Sequence, residues 1–145
     1  MSRPLAYLLK HAQLRLAALT GPALEPYGID GRELAVLRVL DAPEPLSQQQ
    51  AAQRLDIDRT TMVALIDSLE GKGLVSRRPH PADRRKNAVE PTPGGRETLR
   101  GATEAAAAAE RAFLAGLPEQ DARLLRAALD RLVQDPVPSP SSPER

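Results

Sequence analysis

Five cationic side chains fall between Arg77 and Lys86, namely Arg77, Arg78, Arg84, Arg85 and Lys86, with His80 among them and Asp83 as the one acid. The whole chain carries a formal charge of only +1, so this is a local basic patch on a nearly neutral protein. Its chemistry is electrostatic: ammonium and guanidinium groups neutralise phosphates, and a guanidinium also suits the narrow, negative minor groove of A·T-rich duplex. Alone, such a run reads as a solvated loop. Upstream of it, however, Arg59, Thr60, Thr61, Val63 and Ala64 open an amphipathic pattern. There the polar side chains suit base edges and phosphates, and Val63 or Ala64 suits a thymine methyl.

Other chemistries find little support. The chain has no cysteine, which excludes disulfides and thiolate metal sites. His11 and His80 lie in separate elements without carboxylates at ligand spacing, so no metal site and no cofactor are expected. No nucleophile with a base and an orienting group is recognisable, nor is a phosphate-cradling glycine loop, so no enzyme is expected. Phe113, Tyr7 and Tyr27 are the only aromatics. That makes stacking on single-stranded bases a poor explanation of any nucleic-acid binding and favours duplex DNA. No apolar run approaches the roughly 20 residues of a membrane helix, and charge interrupts the N-terminus early; the expectation is a soluble cytoplasmic chain with no membrane partner.

The elements that must position these residues follow from periodicity and punctuation. Leu5, Leu8, Leu9, Ala12, Leu16 and Leu19 recur at steps of three and four, predicting an amphipathic helix over 5–24 with one buried stripe, disturbed at its end by Gly21-Pro22. Asp30 with Glu33 three residues later is a capping box that opens a second helix through Leu34, Leu37 and Leu40, stopped by Pro43 and Pro45. Ser47 with Gln50 repeats the signal for a short helix with Ala51, Ala52 and Leu55 inward. Asp58 caps the next, where Met62, Leu65, Ile66 and Leu69 are spaced for the core, and Gly73 is the C′ glycine.

Leu74–Pro79 and Asn87–Thr92 read as a hairpin with a long charged tip. Pro91 cannot donate to a ladder, so the returning strand either lies at an edge or ends its pairing there. The alanine-rich stretch after Pro93-Gly94-Gly95 predicts a long helix built for close approach to another helix, and Pro118 opens a last one with Leu124, Leu125, Ala128, Leu129 and Leu132 as its stripe. The Pro/Ser-rich tail 135–145 is expected to be disordered.

Leu69-Glu70-Gly71-Lys72-Gly73-Leu74-Val75-Ser76-Arg77, Asp83-Arg84-Arg85 and Val89-Glu90-Pro91-Thr92-Pro93-Gly94-Gly95 stand in the order of the "L-E-x-x-G-L-V-x-R", "D-x-R" and "V-x-L-T-x-x-G" segments of MarR-family regulators. The chain resembles that family over about residues 5–134. It departs from the family pattern in two respects. Val63 and Ala64 stand where the family often has a polar residue and then Arg, removing bidentate guanine readout from position 64. Pro91 replaces the usual leucine of the closing segment.

The resemblance implies a mainly α fold with a small β-wing, a winged helix-turn-helix over 30–93 with dimerisation helices over 5–28 and 94–134, in one domain 1–134. It implies a homodimer held by Leu5, Leu8, Leu9, Ala12, Leu125, Leu129 and Leu132. Such a dimer would bind a pseudo-palindromic operator in double-stranded DNA, most often as a repressor. The implied contact set is Ser47, Gln48, Arg59, Thr60, Thr61, Val63, Ala64, Arg84, Arg85 and Lys86, with Arg77 and Asp83 orienting the wing. It further implies release by a small aromatic or phenolic effector near His11, Arg15 and Tyr27, although an ordinary surface or packing role is the simpler reading of each. The rival reading is a winged-helix module that docks a protein through its basic hairpin, without operator binding.

Overall fold

The structure, a computed structural model, describes residues 2–134, so the expectation for the tail lies outside the described residues. Two compact units divide at Phe113/Leu114. The first contains helices α1 (Leu5–Leu24), α2 (Gly31–Leu40), α3 (Gln48–Leu55), α4 (Arg59–Gly71) and all but the last residue of α5 (Pro93–Leu114), and strands β1 (Leu46–Ser47), β2 (Val75–Pro79) and β3 (Asn87–Pro91). The second contains α6 (Glu119–Gln134). The protein is mainly helical with a small antiparallel sheet, as expected.

Both capping boxes form. Asp30 accepts a hydrogen bond from the Glu33 backbone N–H at 2.8 Å, and the Asp30 N–H donates back to Glu33 at 3.2 Å. Ser47 accepts from the Gln50 N–H at 3.1 Å while its own N–H donates to the Gln50 side chain at 2.9 Å. These bonds satisfy donors that a helix start would otherwise leave orphaned. Gly73, at φ 73°, turns the chain from α4 into β2 in a conformation that costs glycine nothing.

The core of this unit joins Val36, Leu37 and Leu40 of α2, Ala51 of α3, Met62, Ile66 and Leu69 of α4, Val75 and Val89 of the sheet, and Leu99 and Ala102 of α5. Met62, Ile66 and Leu69 are all at most 1% exposed, and Leu65, foreseen with them, is half-buried against this core.

Three features differ from expectation. First, α1 runs without a break to Leu24 and carries Pro22 inside it, although Pro22 cannot make the hydrogen bond to the Ala18 carbonyl. Most of its stripe is exposed among the described residues: Leu5 is 66% exposed, Leu8, Leu9 and Leu19 are also exposed, Ala12 and Leu16 are half-buried, and Leu24 is the residue of α1 that enters the core. Second, the sheet has a third strand, β1, and its order is β1-β3-β2. The strand that ends in Pro91 is therefore central, and of the two expectations for Pro91 the second holds: it is the last residue of β3, opposite Val75. Third, α5 starts at Pro93, ahead of its two glycines. Thr92 accepts from the Gly95 N–H at 3.0 Å and donates to the Gly73 carbonyl at 2.7 Å, tying the helix start to the end of α4. Gly95 is required there, because a Cβ would stand 1.9 Å from the Leu74 carbonyl oxygen.

The second unit is built on α6, whose Leu124, Leu125, Leu129 and Leu132 are all exposed.

Candidate nucleic-acid interface

The supporting helix α3 and the helix α4 are joined by the turn Asp56-Ile57-Asp58, with Asp56 in the left-handed region at φ 51°. Asp58 accepts from the Thr61 N–H at 2.6 Å and fixes where α4 begins. That hydrogen bond holds the Asp58 carboxyl below the ordinary aspartate value of 3.8, because accepting it stabilises the charged form. Arg59, Thr60 and Ala64 are exposed on the helix, while Thr61 and Val63 are half-buried. Thr60 and Ala64 are short and Arg59, at the first turn, is long and cationic, a set that suits a helix entering a groove.

Arg77 ties the base of the wing to the helix pair. Its Nη1 donates to Glu70 at 2.9 Å and its Nη2 to Asp67, both on α4, while Nε and Nη2 donate to the Gln48 amide oxygen at 3.3 and 3.2 Å. Arg78 pairs with Glu90 across β2 and β3 at 2.6 Å. Ser47 is buried and its hydroxyl oxygen serves the cap, so its part is to begin α3, and Gln48 is engaged by Arg77.

At the wing tip, the His80 N–H donates to the Lys86 carbonyl at 2.8 Å and the Lys86 N–H to the Asp83 carbonyl at 3.0 Å, which closes the loop. Asp83 Oδ1 accepts from the Arg85 N–H at 3.1 Å and from Arg85 Nε at 3.2 Å. Those two bonds from Arg85, backbone first, hold the Asp83 carboxyl below 3.8, with nearby Lys86 and His80 adding to the effect. Arg84, Arg85 and Lys86 are exposed, and the Arg85 side chain is 91% accessible in spite of its ion pair. Asp83 thus binds the Arg85 guanidinium and leaves it exposed.

The residues named around a small-molecule site each make local contacts. His11 packs on Tyr7 along α1, with ring centroids 4.0 Å apart, Arg15 is exposed on the same helix, and Tyr27 lies against Gly101 of α5, whose Cβ would stand 2.5 Å from the ring. A separate open cleft of about 450 Å³ is lined by Arg38 and Asp41 from α2 and its C-terminal end and by Arg96, Leu99, Arg100 and Thr103 of α5. Arg96 reaches Asp41 at 3.7 Å. Sequence reading missed this cleft. Arg38 stands 58 positions before Arg96, and the only local signal is Arg96 and Arg100 at i, i+4 on one helix face.

A capped two-helix unit with a three-stranded sheet and an arginine-tipped hairpin at its side is a winged helix-turn-helix. Its likeness to known proteins is specific. A MarR family model matches residues 27–86. A protein of Thauera aromatica named as a putative transcriptional regulatory protein for the hcr operon is 31% identical over 107 residues, 74% of this chain and 64% of that protein's length. The solved structure of a probable transcriptional regulator from Pseudomonas aeruginosa is 31% identical with a TM-score of 0.82, covering 89% of this chain and 96% of that one. The repressor CouR, solved on a 23-mer DNA duplex, is 32% identical with a TM-score of 0.84, covering 90% and 93%. CouR from Rhodococcus jostii RHA1 has also been solved with p-coumaroyl-CoA, at 27% identity and a TM-score of 0.77 over 92% and 94%. The chain belongs to the MarR family of transcriptional regulators. No described helix is long and apolar enough to cross a membrane.

Proposed function

We propose that residues 5–134 form a homodimeric, cytoplasmic regulator that binds a pseudo-palindromic operator in double-stranded DNA and represses transcription until an effector releases it. The observation that carries this reading is the pairing of α4, which exposes Arg59, Thr60 and Ala64, with a wing whose Arg84 and Arg85 are exposed and whose Arg85 is bound by Asp83. One element suits the major groove and the other the adjacent minor groove or phosphates. The DNA-bound structure of CouR supports it.

Dimer formation is supported by the exposed leucine stripes of α1 and of α6, apolar faces of the kind a second copy covers. Two-fold symmetry then sets half-sites about 10 bp apart. Effector control is supported by the cleft between Arg38, Arg96 and Arg100, which suits a carboxylate or phosphate-bearing molecule, and by the CoA ester bound to CouR. Such a ligand acts only through a difference in affinity between the DNA-binding and released spacings of the winged units.

Fluorescence anisotropy of labelled genomic fragments, including the chain's own promoter, against salt tests the reading. The expected result is tight binding that weakens steeply with salt, with a shallower slope in Arg84→Ala and Arg85→Ala. Absence of duplex binding at low salt refutes it.

A further inference from the structure

Two groups of polar ties hold the last two turns of α4, and only one involves the wing. On one shoulder, Arg77 binds Asp67 and Glu70. On the other, Glu33 of α2 accepts from Ser68 Oγ at 3.1 Å and from Lys72 Nζ at 2.9 and 2.7 Å on its two oxygens, in addition to the Asp30 N–H. Glu33 is 5% exposed. A buried carboxylate is costly unless its charge and lone pairs are satisfied, and here four bonds from two helices do so. For capping α2 alone, the bond to the Asp30 N–H would suffice.

At 100° per residue, Asp67 and Glu70 centre about 150° around the α4 axis from Ser68 and Lys72. The exposed Thr60 and Ala64 fall midway between these two centres, and the buried Met62, Ile66 and Leu69 lie opposite. The ties therefore flank the exposed face and oppose each other's torque. A roll of about 15° moves a side chain about 6 Å from the axis by roughly 1.5 Å, more than the useful range of a hydrogen bond. Long arginine side chains at the wing follow a phosphate through such a shift; short threonine and alanine side chains do not.

We propose that Glu33, Ser68 and Lys72 are positioning residues for sequence readout: opposing the Arg77 tie, they fix the roll of α4, and their loss degrades discrimination between sequences more than affinity for DNA as such. This rests on the operator-binding reading. The test uses the full chain, a duplex selected by the wild type from genomic fragments, and a scrambled duplex of equal length, with circular dichroism confirming folded protein.

In Glu33→Gln/Lys72→Met, which removes both charges together, the ratio of scrambled to selected Kd falls about tenfold, the low end of what one base contact contributes, while scrambled affinity stays within about twofold. Lys72→Arg, which keeps the pair, retains the wild-type ratio. An unchanged ratio, equal weakening on both duplexes, or loss in Lys72→Arg equal to that in the double variant overturns the proposal. Should the double variant not fold, Ser68→Ala decides: a fall of about threefold supports the proposal and an unchanged ratio overturns it. Wild-type protein that selects no duplex defeats the operator reading instead, so the two failures are distinct.

Discussion

The recognition helix α4 and the wing tip face the same proposed partner but are built in opposite ways. The helix has a buried stripe at most 1% exposed, a capped start, and ion pairs to α2 and β2 on either side of its exposed face. The tip is held by bonds within its own seven residues, 80–86, and leaves Arg84, Arg85 and Lys86 exposed. Readout of base edges requires side chains placed to within a hydrogen bond's tolerance, whereas charge neutralisation tolerates motion. In the proposed complex, rigidity lies where short side chains would meet bases, and latitude where long cations would meet phosphates.

The contrast is broken most severely in the core. Ile66→Ala removes a fully buried side chain that packs α4 into the unit, and a destabilisation of about 2–5 kcal/mol is expected by urea unfolding. Binding to a selected duplex should fall in proportion to the folded fraction. A folded, fully stable Ile66→Ala protein would show that α4 is not anchored as described.

Next in size is Arg77→Ala. Arg77 is 19% accessible and serves Asp67, Glu70 and Gln48 together, so its loss leaves three acceptors without their donor. Removing one partner of a partly buried hydrogen-bonded charge is expected to cost on the order of 1–3 kcal/mol, and Arg77→Lys should recover only part of it because an ammonium cannot fork between acceptors. Arg84→Ala, by contrast, should leave the unfolding midpoint unchanged, within about 0.5 kcal/mol, and flatten the dependence of log K on log salt by about 0.9 for each phosphate left without its cation. Equal effects of the two substitutions on stability would erase the distinction between base and tip.

These opposed designs were unequally legible. Both capping boxes, the Asp58 cap, the C′ glycine and the stripe of α4 could be read because each depends on residues within a turn or two of one another. The leucines of α1 were equally plain as a helical stripe, yet nothing local tells whether the surface that covers a stripe belongs to the same chain, and Leu5, Leu8, Leu9 and Leu19 are exposed. Strand β1 is two residues long and exists only through pairing with β3, where Leu46 stands opposite Val89, so it left no periodic signal. Glu33 was visible as a cap partner. Its bonds to Ser68 and Lys72 span 35 and 39 positions, and only the folded arrangement of α2 and α4 brings them together.

The smallest expected effect sharpens the comparison at its electrostatic limit. Asp58 and Asp83 both lie at the surface, and in each case accepting a backbone N–H lowers the carboxyl below 3.8. A group whose folded pKa is lowered contributes stability that is present above the ordinary value and lost as pH falls through the folded one. Carboxyl chemical shifts followed by NMR should thus give midpoints below 3.8 for both residues. The consequences should then part: protonating Asp58 frays the start of α4 and disturbs neighbouring amides from Arg59 to Met62, while protonating Asp83 releases only the Arg85 side chain and amide. A perturbation from Asp83 that spread into α4 would mean that the tip is coupled to the recognition helix after all, and that aim and readout are not separate tasks in this fold.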